Sequence, residues 1–517
     1  KVAGAVGPSN IVNGQPVCVN PGPDGVVGTA DDTIIADCVP INLFGGPNNG
    51  SIDPSQINNL GFEGTSRAFD QLVSVNVNTT GELFRAYADR PIALALGYEF
   101  RRQSGAQIAD PIAAAGDSAD FNFKSTEGHY TSHEAYGELS LPLLANLPGV
   151  QTLDASVAGR FVHYSTFGDN FTYKVGGRYT PIDAITVRGT YSTAFRAPNI
   201  HELFLGQSET APTASDPCGN LATASPALKS QCTAPPTGNV GATGAAGSGD
   251  TSNQVLTRVG GNPTLQAETA HIWTLGLVLQ PRVISNLSIT VDYYDITVDS
   301  SIGTVTTSSI LEGCYPASVT GNAAAPNAAD CGLITRAPSG RILFVTNLNQ
   351  NVGSTSTSGV DVALRYALPT EYGRFGLGFD GTWLKDYTQN GAGAVGTYDL
   401  AFPLPQWKFN VGLNWRLGGL SAGALVRYVG TFKECDGGVC NVNPEPSGRQ
   451  VGHNTRLDLN ASYTLRSTIG RTLLMVGMNN VFDQQPQYVY SAALANSDPS
   501  IYDFVGRYVY FRAQHTF

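Results

Sequence analysis

Eight cysteines are the residues whose type and spacing most directly imply chemistry: Cys18 and Cys38, Cys218 and Cys232, Cys314 and Cys331, Cys435 and Cys440. An even count in four local pairs implies disulfides made in an oxidising compartment. Metal or redox chemistry is the alternative, but no CxxC occurs and the histidines do not gather around the cysteines. A second candidate is the glycine-rich stretch 23–32, where Asp24, Asp31 and Asp32 could hold calcium through carboxylate oxygens. It lacks the D-x-D-x-D-G core and closing Glu of an EF-hand, so a solvated turn bounded by Cys18 and Cys38 is the favoured reading. Beyond that ion no cofactor is expected. Arg196, His201 and Glu202 form a third group, readable as catalytic or metal-binding, or as a polar cluster at the mouth of the fold; the last is expected. No G-x-S-x-G, H-E-x-x-H or GxxxxGK[ST] occurs, so the sequence does not read as an enzyme.

The elements that must carry these residues are strands. Only 14% of the 517 residues are charged, and glycine numbers 59, tyrosine 22 and phenylalanine 22, a vocabulary of strands and turns. The net charge is −11 with no Lys/Arg cluster, which excludes a nucleic-acid binder. No apolar run approaches the roughly 18–20 residues of a transmembrane helix. The other way across a bilayer is a closed barrel, whose strands carry apolar residues only at alternate positions.

That alternation is present. Trp407, Phe409, Val411, Leu413, Trp415 and Leu417 oppose Lys408, Asn410, Gly412, Asn414 and Arg416; the stretches 456–465, 287–294 and 92–101 repeat the pattern. A soluble sandwich also alternates, but its strands run to about 5–6 residues. Here they run to about 11–14, with aromatic residues near the ends, as in outer-membrane girdles. The expected class is therefore all-β, a transmembrane antiparallel up-and-down β-barrel. Strands are predicted near 70–82, 90–103, 129–141, 152–165, 170–180, 184–196, 268–282, 285–299, 356–367, 374–387, 405–417, 421–432, 453–466, 471–483 and 505–517.

If the last strand descends to the periplasm, the turns at 142–150, 180–183, 281–286, 369–373, 417–420 and 466–470 are periplasmic and short. The connections 197–267, 300–355, 388–404, 433–452 and 484–504 are extracellular and mostly long, the asymmetry of this barrel class. Every cysteine falls on the outside. About 15 strands is an odd number where single-chain bacterial barrels have an even one. We therefore expect residues 1–69 to be part of an extracellular loop, residues 70–517 to be the C-terminal part of a barrel, and earlier strands to precede Lys1. The segment 238–251, rich in Gly, Ala and Ser, reads as flexible loop.

The sequence also resembles a family. Residues 191–204, Y-S-T-A-F-R-A-P-N-I-H-E-L-F, are similar to a barrel segment of TonB-dependent receptors, "Y-(S/G)-x-x-F-(R/K)-A-P-x-x-x-x-L". Residues 262–268, N-P-T-L-Q-A-E, resemble their "N-P-x-L-x-P-E" element, with Ala267 in place of proline. Residues 479–486, N-N-V-F-D-Q-Q-P, resemble the segment before their final loop, and terminal Phe517 resembles the outer-membrane assembly signal. The resemblance implies about 22 strands in the whole barrel, an N-terminal plug and a TonB box that this sequence does not contain, and the bacterial outer membrane as location.

It further implies active uptake of a scarce nutrient (siderophore-bound iron, cobalamin, haem or an oligosaccharide) driven by the TonB–ExbB–ExbD complex. A passive porin or a structural or adhesive surface barrel is the alternative. Other expected partners are outer-membrane lipid and lipopolysaccharide, and a surface lipoprotein docked on the long loops. Ligand contacts are expected from Tyr294, Arg365 and Asp380 on the inner face and from Tyr315, Tyr387 and Tyr398 in or near loops. The low Lys/Arg content argues mildly against a strongly anionic ligand.

Overall fold

A computed structural model describes residues 5–41, 61, 63–85, 90–118, 124–221, 224–233, 254–320, 325–337, 340–399, 402–435, 448–490, 492 and 496–517. The chain divides into two compact units, residues 1–68 with 107–124, and residues 69–106 with 125–517. In the first, the hairpin Ser9–Val12 and Gln15–Asn20 is extended by Thr33–Ile34, and a Cys18–Cys38 disulfide closes it. A five-residue helix, Pro111–Ala115, is N-capped by Asp110, which also accepts from the Thr65 backbone N–H at 3.2 Å.

The second unit is dominated by one antiparallel sheet. Its strands are β1 (Arg67–Arg85), β2 (Pro91–Ile108), β3 (Thr126–Leu147), β4 (Val150–Tyr164) and β5 (Gly168–Ile182). They continue as β6 (Ile185–Arg196), β7 (Glu268–Leu279), β8 (Leu287–Gly303), β9 (Gln350–Thr370) and β10 (Gly373–Gln389). The last five are β11 (Trp407–Leu417), β12 (Leu420–Val429), β13 (Asn454–Ser467), β14 (Gly470–Asn479) and β15 (Tyr508–Thr516). Each pairs with its neighbours in chain order, so every predicted strand has a counterpart. This is the architecture of a large barrel-like domain.

Register settles the faces. Lys408, Asn410, Asn414 and Arg416 of β11 lie opposite Thr382, Asp380, Gly376 and Arg374 of β10, a polar row; Phe409, Val411, Leu413 and Trp415 lie opposite Gly381, Phe379, Leu377 and Phe375, an apolar one. On the apolar face Trp273 is 58% exposed, Leu413 56% and Phe511 70%. Such a continuous apolar surface would drive aggregation in water and is at home in lipid. Trp407 and Trp415 share this face eight residues apart, about 27 Å along the strand. At the roughly 40° tilt usual for such walls that is about 20 Å across a membrane, close to the apolar band of outer-membrane barrels.

Connections at one end of the sheet are short: 148–149, 183–184, 280–286, 371–372, 418–419 and 468–469. At the other end they span 109–125, 165–167, 197–267, 304–349, 390–406, 430–453 and 480–507, all long except 165–167. Two predicted turns are shorter than the sequence suggested. Pro142 stays inside β3 because a register shift between Pro142 and Leu144 absorbs its missing donor, so the turn falls at Pro148-Gly149. A similar shift between Tyr179 and Ile182 lets β5 run past Pro181. The segment 238–251, read as flexible loop, lies outside the described residues. Tightly buried apolar side chains gather mainly in three clusters at the long-connection end rather than along the sheet.

Candidate functional site

The long-connection end is built from the motif residues upward. β6 ends at Arg196, and Pro198 stops ladder pairing because it has no N–H to donate. The chain then makes a short helix, Ile200–Phe204, with a capping box: the Asn199 side chain accepts from the Glu202 N–H, and Glu202 accepts from the Asn199 N–H. Arg196 donates to both Glu202 oxygens at 2.9 Å and to both Glu268 oxygens at 2.7 and 2.6 Å. It thereby ties the helix to the start of β7. His201 is exposed and outside this group. Gly261 passes so close to the helix end that a Cβ there would lie 2.5 Å from the Leu205 nitrogen. Beneath lies an aromatic cluster of Tyr130, Tyr164, Phe167 and Phe195 with Leu203 and Leu265. The Arg196–Glu202 group is thus scaffold.

Connections 197–267 and 304–349 fold together into one module. Thr257–Gly260 pairs antiparallel with Ser208–Thr210 and parallel with Ile342–Leu348, which in turn pairs with Ile334–Arg336. Disulfides Cys218–Cys232 and Cys314–Cys331 clamp one connection each. Ile310, Leu311, Tyr315, Val255 and Val345 are almost fully buried between them. At the centre Arg336 and Asp216, with side chains 1% and 0% exposed, form a bidentate ion pair at 2.6 and 2.8 Å. Arg336 also donates to the Tyr315 hydroxyl at 3.2 Å and the Gly340 carbonyl at 2.8 Å. Burial works against the guanidinium charge, but Asp216 more than restores it, leaving its pKa above the ordinary value. Burial pushes the Tyr315 hydroxyl up.

Connections 390–406, 430–453 and 480–507 make a second module. Thr397–Asp399, Phe402–Pro403, Phe432–Glu434 and Gln450–Val451 form its sheet, and Tyr398, Phe432, Val451, Val489 and Tyr502 its core. Glu434 is buried, with Arg449 at 2.6 Å. Burial, and then the hydrogen bond and charge of Asp498, push Tyr398 up to about 12. Cys435 is disulfide-bonded; Cys440 lies outside the described residues.

Below the modules the polar face of β6–β11 lines shallow cavities. Arg188 neutralises Asp292 at 2.8 Å, Thr382 donates to Asp361 at 2.6 Å, and Arg365 meets Asp380 at 2.6 Å. A cavity of about 390 Å³ brings Asp292, Asp361, Asp380, Thr382, Lys408 and Asn410 together.

The residues singled out from sequence are dispersed. Arg365 and Asp380 pair with each other, and Tyr294 stands over Gly359, where a Cβ would be 2.5 Å from its hydroxyl. Tyr387 meets Phe402 edge-on at 5.9 Å, and Tyr398 stacks on Phe432 at 6.2 Å. Tyr315 is 1% exposed and belongs to the first module's core. Asp24, Asp31 and Asp32 do not converge on an ion: they accept from Val26 N–H at 2.9 Å, Thr29 hydroxyl at 2.7 Å and Gly28 N–H at 2.7 Å. The Thr29 hydroxyl holds Asp31 below the usual carboxylate range. Among the described residues no group of three His, Cys, Asp or Glu could hold a metal. Phe517 is 99% exposed beyond the end of β15. Sequence reasoning missed Asp216 and Arg336, whose only signal is that two charged residues flank cysteine-bearing loops.

Among curated proteins none matches this chain at the sequence level. Solved structures do resemble it. The siderophore receptor PirA from Acinetobacter baumannii aligns with TM-score 0.53 and 14% identity, over 86% of this chain and 54% of that one. A variant of the ferric enterobactin receptor PfeA from Pseudomonas aeruginosa, in complex with enterobactin, aligns with TM-score 0.55 and 17% identity, over 89% and 55%. The chain therefore spans little more than half the length of these structures. At such identities they show a shared fold. The family described as TonB dependent receptor-like, beta-barrel, matches residues 39–481. With most of its length inside that match, the chain belongs to the TonB-dependent receptor β-barrel family.

Proposed function

We propose that this chain is the C-terminal part of a closed outer-membrane barrel of about 22 strands. The full-length receptor would take up a scarce nutrient, with a ferric siderophore favoured because PirA and PfeA are siderophore receptors by name. The observation that carries the reading is the pair of folded modules over one end of a polar wall. A diffusion pore needs no such structure, whereas a receptor needs rigid surfaces to bind a rare ligand. Energy would come from TonB–ExbB–ExbD acting on the part of the receptor that precedes this chain. Tyr294, Arg365, Asp380 and Tyr387 remain the proposed ligand contacts, and Phe517 the proposed assembly signal; Tyr315 and Tyr398 lie in the cores of the two modules.

The test is growth of a strain lacking the receptor on single iron sources, namely ferric catecholates, ferric hydroxamates and haem, with cobalamin and oligosaccharides alongside. Loss of growth on one source, restored by the intact gene, is the expected result. Unchanged growth on all, together with an open conductance of the purified protein in planar bilayers, would instead favour a porin.

A further inference from the structure

At the short-turn end the polar face carries an arrangement that neither the uptake reading nor the family match explains. Arg374 of β10 lies directly opposite Arg416 of β11, and Arg466 of β13 directly opposite Arg471 of β14. Like charges placed directly across a sheet destabilise it. All four side chains are exposed, and they line one cavity of about 1070 Å³. Among the described residues none of the four makes an ion pair or a side-chain hydrogen bond.

The same sheet shows how such a clash is otherwise relieved. Nearer the long connections Arg427 and Arg456 are also directly opposed. There Arg427 meets Asp458 at 2.8 Å and Arg456 meets Asp503 at 3.1 Å. The turn-end pairs lack any equivalent.

The wall beside them is unusually bare. Gly376, Gly378 and Gly412 sit on the polar face, and a Cβ added at any of them would meet nothing closer than 3.7 Å. Glycine is not needed there for packing within the sheet, so its presence leaves room for something to lie against the wall. Ser421 and Ser462, opposite each other between the arginine pairs, offer hydroxyls along the same track.

We propose that Arg374/Arg416 and Arg466/Arg471 form a docking surface for an acidic polypeptide segment, one carboxylate at each pair, its backbone lying along the glycine-flattened wall. The pairs are three strand spacings apart across the sheet and, because Ser462 rather than Arg466 lies level with Ser421 and Arg416, four residues apart along it, about 20 Å in all. An extended chain covers that in about six residues, whereas a single small anion reaches only one pair. A bidentate carboxylate at each pair would supply the counter-charge the sheet lacks.

The test uses the full-length receptor in outer membranes isolated from cells, with Arg374→Lys, Arg416→Lys, Arg466→Lys and Arg471→Lys combined so that charge is kept and an amine introduced. A carbodiimide joins such amines to carboxylates only at ion-pair contact. Circular dichroism of the purified variant confirms the folded barrel. The expected result is crosslinks from a substituted lysine of each pair to Asp or Glu in one segment outside the strands of the sheet. They should be lost in 1 M salt, where screening acts within about 3 Å. Crosslinks confined to carboxylates of the sheet itself, or none in the folded protein, would overturn the proposal. So would binding of inorganic tripolyphosphate without crosslinks, which would make the pairs a site for small anions.

Discussion

Replacing Asp216 by Asn would leave the Arg336 guanidinium buried without a counter-charge, at nearly unchanged volume. The pair's side chains are 1% and 0% exposed, so solvent screening offers little relief. Breaking a pair of this kind costs about 3–5 kcal/mol, which corresponds to a roughly 150- to 5000-fold rise in the open population. The core around the pair is built from the module's own short strands and helices and closed by disulfides internal to each connection, so opening should be local. Hydrogen exchange followed by mass spectrometry reads this directly. Peptides covering 208–221, 307–320 and 334–348 should lose protection by that factor, while β11–β14 stay as protected as before. Replacing both partners, Asp216→Leu with Arg336→Met, should recover most of the loss, because an apolar pair of similar volume has no charge to strand. A change below tenfold in Asp216→Asn, or equal loss across the sheet, would refute the view that this pair anchors an independently opening module.

Three further outcomes follow from the same geometry. Gly261→Ala should destabilise the helix Ile200–Phe204 by about 1–3 kcal/mol, seen as faster proteolysis after residue 196, because its Cβ would press on the Leu205 nitrogen. Arg196→Leu strands Glu202 and Glu268, and with the arginine 45% exposed the loss should be about 1–2 kcal/mol, measured as a lower urea midpoint for that segment. Tyr398 is raised from an ordinary 10 to about 12, so its neutral form is the one the fold favours. That contribution is complete below pH 10 and is lost as pH rises through 12, and Tyr398→Phe should remove a late-titrating component from the 295 nm absorbance.

The sheet was legible in the sequence because its physics is local. Each strand needs alternation with aromatic residues near its ends, and β11 shows both within eleven residues. Prolines misled at the turns, since Pro142 sits at a bulge whose register only the partner strand reveals. The modules were not legible. Thr257–Gly260 and Ile342–Leu348 pair across more than eighty residues, and the helices joining them are four to eight residues long, too short to be stable without tertiary contacts. The cysteine pairs were readable by proximity, but not the buried core they enclose. The low overall arginine content also hid its placement: composition counts the charges, and only register shows Arg374 facing Arg416 and Arg466 facing Arg471.

The most direct test of the central reading is accumulation of radiolabelled iron, supplied as the siderophore identified by growth, in whole cells with and without functional TonB. Accumulation that requires both the receptor and TonB, and stops when the proton gradient is collapsed, is the result expected of an energised receptor. Accumulation that is unchanged without TonB and rises linearly with external concentration would contradict it and point to passive diffusion.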